Sequence, residues 1–236
     1  MLWRCSPISP AHHFGAAHGG CTPVDAKVRQ RLARALAVVD EHGTTGTRLL
    51  DDASRLLRRI QAFVNLGYIP ADSDIEAMEL ASYALQLPMR DSRLLPTGKL
   101  GRTNLRERVE QSAEILISTI GKDIEDDLLE RVTRLLLQVP QRNPATNEAK
   151  LLADALNLDD FGVTGLVTRI IQLGIQGSGM SRVVEAAEKR EEYGYWEARL
   201  KDGFHFEPIR QLARRRLDRA RQVHKLLSEE LSGDVP

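Results

Sequence analysis

The chain has 236 residues, enough for one sizeable domain or two small ones. Lys plus Arg and Asp plus Glu number 33 each, and this zero formal charge removes any electrostatic argument for nucleic acid or an anionic membrane surface as partner. No apolar run reaches the ~18 residues of a membrane helix, and the two cysteines, Cys5 and Cys21, both lie near the start, so no disulfide framework staples the body and a cytoplasmic location is expected.

Residues 1–22 are rich in Pro, Gly, His and Ala, lack periodicity and read as a disordered leader. Without a continuous apolar core they do not read as a signal peptide. Cys5, His12, His13, His18 and Cys21 are zinc-ligand types, but their irregular spacing fits no zinc module. From residue 23 to 236 the spacing predicts a single all-α domain. Val28, Leu32, Ala35, Leu36 and Val39 recur at helical intervals before a stop at Gly43. A second helix carries Leu49, Ala53, Leu56, Ile60 and Phe63 up to Gly67, and a third, capped by Asp72 or Ser73, runs to Pro88.

The stretch 90–102 is a predicted loop, followed by helices over about 104–120 and 124–137 with Gly121 between them. Thr146 caps the next helix. Glycines at 162, 165, 174, 177 and 179 punctuate the region after it, and helices over about 180–200 and 208–231 close the chain. No run alternates with period two for long enough to predict a strand.

Between Gly43 and Phe204 there is neither histidine nor cysteine. Within that stretch lies Asp154-Ala-Leu-Asn-Leu-Asp159-Asp-Phe-Gly162-Val-Thr-Gly165. This segment resembles the last metal-ligand motif of the HD superfamily, the all-helical metal-dependent phosphohydrolases. The resemblance extends, more weakly, over about residues 49–230, including Tyr195-Trp-Glu-Ala-Arg-Leu-Lys-Asp202 near the end. It implies an HD-like helical bundle in which Asp154 is a metal ligand, Asp159 is structural or touches substrate, and the glycines permit close helix packing. Leu156 departs from the motif at its second acidic position.

Further departures fall in the N-terminal half. Asp52-Ala-Ser-Arg55 stands where the family places its first ligating histidine, and Leu85-Gln86 stands where it places its His-Asp pair. Histidines that would contact phosphate, expected around Val109 and Val139, are missing as well. Asp52 and Asp154 are therefore the remaining metal-ligand candidates. A carboxylate-only set would suit a hard ion such as Mg²⁺ or Mn²⁺ and bind it weakly. Asp52 reads equally as a helix-surface acid, and Asp154 as a cap or a core hydrogen-bonding acid.

Three other features bear on function. The loop Thr97-Gly-Lys99-Leu-Gly-Arg102 leads into a helix bearing Arg106, and its cations and backbone N–H groups could hold a phosphate. It lacks the spacing of a P-loop. Tyr193, Tyr195, Trp196, Phe204 and Phe206 crowd five of eleven aromatics into fourteen positions, more simply a core cluster than a pocket, and His205 among them has no visible partner. Arg210, Arg214, Arg215, Arg216, Arg219 and Arg221 give the last helix a basic face, read as solvated and internally paired.

The expected function is that of a degenerate HD-like domain without standard hydrolysis, binding a phosphorylated small molecule or nucleotide through Lys99, Arg102, Arg106 and Asp159, or serving as an interaction module. An active phosphohydrolase with a rearranged carboxylate site and a helical scaffold or homo-oligomerisation protein are the alternatives.

Overall fold

The computed structural model describes residues 24–39, 45–90 and 105–233. The leader expected over residues 1–22 lies outside them. The described chain is an all-α bundle, as the helical periodicity predicts. Helices α1 (Ala26–Leu36), α2 (Arg48–Asn65), α3 (Ile75–Ala84), α4 (Leu105–Ile120), α5 (Asp126–Gln138) and α6 (Asn147–Asn157) build the first part. Helices α7 (Val163–Ile175), α8 (Met180–Glu192), α9 (Tyr195–Asp202) and α10 (Glu207–Ser232) build the second.

The first part forms around α3. Every residue from Ala77 to Ala84 is buried, because α2 and α5 pack on this helix and α4 and α6 complete the enclosure. A helix buried all round lacks a polar face, so Glu79 needs a partner: Arg29 grips it from α1 through Nε at 2.5 Å and Nη2 at 2.8 Å. The N-cap of α3 is Asp74, accepting from the Ala77 N–H at 2.9 Å, and not the expected Asp72 or Ser73. Thr146 caps α6 as predicted, accepting from the Ala149 N–H.

Three boundaries differ from the sequence reading. The first helix ends at Leu36, and Val38–Val39 pair antiparallel with Thr45–Gly46 in a two-residue ladder. The glycine-punctuated region is helical over Val163–Ile175, since Gly165 and Gly174 sit inside α7. The long helix expected over about 180–200 is two helices, broken at Gly194, whose φ of 61° is the left-handed conformation that glycine adopts most readily.

The two parts meet where the end of α6 bonds to α9 and to the turn before α10. Phe161, fully buried just after α6, packs edge-on against Trp196 (5.1 Å between centroids) and Phe204 (5.3 Å). Of the crowded aromatics Phe204 is core, Trp196 and Phe206 pack half-buried against it, Tyr195 is half-buried beside Trp196, and Tyr193 is exposed. No helix among the described residues is long and apolar enough to cross a membrane.

Candidate functional site: an arginine cluster

Helix α2 turns Asp52, Arg55 and Arg59 toward the end of α6, because residues three and four apart share a helix face. A short 3₁₀ turn, Leu158–Asp160, follows α6 and presents Asp159 to them. Arg55 joins the two acids: its Nη2 lies 2.8 Å from Asp52 Oδ1, and its Nε donates to Asp159 Oδ1 at 3.2 Å. Arg59 donates to the same Asp159 oxygen at 2.8 Å and to the Ala155 carbonyl at 2.5 Å. Asp159 thus fixes two guanidiniums from α2.

A third guanidinium comes from α4. Arg108 donates through Nε and Nη2 to the Leu85 carbonyl, at 2.8 and 2.6 Å, with Gln86 Oε1 3.4 Å away. Leu85 and Gln86 are buried. At the positions the HD resemblance equates with a His-Asp pair, the chain therefore places one of its own cations. Burial pushes the pKa of Arg108 down, while the charges of Asp159, Asp160 and Asp52 hold it up.

Arg216 of α10 is the fourth. Its backbone comes close because Gly162, at φ 89°, carries no side chain: a Cβ there would stand 3.0 Å from Arg216 Cβ. Burial first, then the neighbouring Arg59, pushes the Arg216 pKa down, against the pull of Asp159. No hydrogen bond or ion pair holds its guanidinium among the described residues. Arg199 belongs to a separate pair, since it takes Asp160 at 2.6 Å. Arg55 and Arg59 contact Asp52 and Asp159, and Arg108 and Arg216 lie within their electrostatic reach, so this cluster holds more guanidiniums than carboxylates in a chain of zero net charge.

Asp154 does different work from that expected of a metal ligand. It is fully buried, and its oxygens face three N–H groups: the His205 backbone (2.9 and 3.0 Å, one to each oxygen), the Phe206 backbone (2.9 Å) and His205 Nδ1 (2.8 Å). It therefore caps the start of α10 from a distance, where unpaired backbone donors and the helix dipole favour an anion. His205, without a visible partner in the sequence, has two, because its Nε2 also lies 3.2 Å from the Arg142 carbonyl. Burial pushes the Asp154 pKa up, opposed by these donors.

The carboxylates proposed for Mg²⁺ or Mn²⁺ thus do not fit a cation. Asp52 and Asp159 already face guanidiniums, and Asp154 faces N–H donors. Among the described residues no three His, Cys, Asp or Glu side chains gather as a metal site requires.

Arg106 is exposed and bonds Glu110 one turn along α4, at 3.2 Å. Two residues of helix turn it about 200° from Arg108, so the arginine that this helix adds to the cluster is Arg108. Lys99 and Arg102 lie outside the described residues. The basic face of α10, expected to be internally paired, is so only in part: Arg210 pairs with Glu207 and Arg221 with Glu191 and Glu197. Sequence reasoning missed Arg59 and Arg108 because each carries its meaning only through a residue distant in the chain.

No known protein-family profile and no curated protein sequence matches this chain. Solved structures do share its fold. Bacillus subtilis YpgQ in complex with ADP superposes with a TM-score of 0.53 at 20% identity, covering 89% of this chain and 95% of that one. A selenomethionine form of the same protein gives 0.55 at 19% identity, covering 88% and 97%. Likeness at this identity establishes a shared architecture over nearly the whole of both chains.

Proposed function

We propose that this protein is a degenerate HD-like domain that binds a phosphorylated small molecule or nucleotide through arginines, without metal-dependent hydrolysis. The observation that carries the reading is the cluster of Arg55, Arg59, Arg108 and Arg216 around only Asp52 and Asp159. Guanidiniums pair with phosphoryl oxygens in bidentate geometry and keep their charge at any physiological pH. An added anion would relieve the repulsion between Arg216 and Arg59. The ADP bound to YpgQ, a protein of similar architecture, supports a nucleoside diphosphate as first probe.

The test is calorimetric titration of ADP and inorganic pyrophosphate into the wild type, Arg55→Gln and Arg216→Gln, with folding checked by circular dichroism. The reading expects a loss of about tenfold or more in affinity for each folded variant. Unchanged affinity in both would reject it.

The interaction-module alternative has an observation of its own. Val163, Val167 and Ile171 lie at four-residue steps on α7 and are 40–48% exposed, an apolar stripe on the outer surface.

A further inference from the structure

Away from the arginine cluster, α7, α8 and α10 turn one face each toward a common cavity of about 240 Å³. Val183, Ala187 and Arg190 on α8 recur at helical spacing, as do Leu217, Ala220 and His224 on α10. These faces are patterned as core, but the small side chains of Ala187 and Ala220 leave the space between them unfilled. Trp196 of α9 adds an aromatic wall.

The charges around this cavity are not equivalent. Asp160 is neutralised by Arg199, and Glu191 by Arg221. Arg190 has no carboxylate partner among the described residues. Its guanidinium stands over the rings of Tyr195 and Trp196, 5.6 and 5.8 Å from their centroids, an arrangement that fixes the cation while leaving its N–H donors available.

We propose that this cavity binds a small apolar monocarboxylate, its hydrocarbon part against Val183, Ala187, Leu217 and Trp196 and its carboxylate on Arg190. Arg169 also lines the cavity; with Asp160 and Glu191 already offset by Arg199 and Arg221, a monoanion matches the charge that Arg190 presents. The volume lies below the ~300 Å³ at which sites for drug-sized ligands begin, which argues for a short chain. The site does not depend on the arginine cluster and uses none of its arginines.

Trp196 supplies the readout. In a Trp3→Phe background it is the only tryptophan, so its emission reports occupancy. Titration with octanoate is expected to give a saturable emission change. Ala187→Leu, which fills the cavity, should abolish that change, and Arg190→Gln should weaken binding about tenfold or more. Thermal unfolding of both variants confirms that they fold. No saturable change with the parent protein would overturn the proposal. So would undiminished binding in folded Ala187→Leu or Arg190→Gln, or 1-octanol binding as tightly as octanoate.

Discussion

At the scale of single residues, Asp154 separates a metal-ligand account from a structural one. Its carboxylate accepts from the two backbone N–H groups that lead into α10, so Asp154→Ala would strand the part-buried N–H groups of His205 and Phe206. A loss of about 2–4 kcal/mol is expected in chemical denaturation, larger than for Asp52→Ala, whose half-exposed ion pair contributes about 1 kcal/mol or less. Equal, small effects would contradict the assignment. Burial raises the Asp154 pKa, so the native state holds that proton more tightly than the unfolded chain. Its contribution to stability is therefore fully present below the ordinary carboxylate value and lost as pH rises through the folded value. Wild type should lose stability relative to Asp154→Asn as pH rises from about 4; a gain over that window would show the donors to outweigh burial. The sequence marks Asp154 as special through its motif. Its partner His205 stands 51 positions away, and the pairing depends on a tertiary contact that periodicity does not encode.

At the scale of elements, the helices were legible wherever an apolar stripe met a stop signal, as in α2, and obscure where packing overrode propensity. Helix α7 is the clearest case. Its glycines read as breaks, yet Gly165 is inside the helix because a Cβ there would stand 2.3 Å from the Asp160 carbonyl oxygen. Gly165→Ala must push α7 away from the turn that carries Asp159. A destabilisation of about 1–3 kcal/mol and weaker anion binding are expected together, measured by denaturation and titration; loss of neither would show the close approach to be dispensable. On the same helix, Ile171→Lys on the exposed stripe should change stability by no more than about 0.5 kcal/mol. Leu173→Ala, on the buried side, should cost about 2–5 kcal/mol. The break between α8 and α9 escaped the sequence reading because the apolar spacing continues across Gly194, while the left-handed turn there redirects the chain.

At the scale of the molecule, the zero net charge conceals an uneven distribution. Surface cations such as Arg131 and Lys189 pair with Asp74 and Glu185, whereas arginines from α2, α4 and α10 gather around Asp52 and Asp159. The all-α class could be read from the chain alone. The arginine cluster could not, because Arg108 and Arg216 approach Asp159 only once α4 and α10 are docked. The central claim is that these guanidiniums, and no metal, hold the anion. The direct measurement is the affinity for pyrophosphate in excess EDTA compared with that in Mn²⁺, with product release followed in parallel. Equal or tighter binding in EDTA, without turnover in Mn²⁺, is the predicted result; binding that appears only with Mn²⁺, accompanied by hydrolysis, would contradict it.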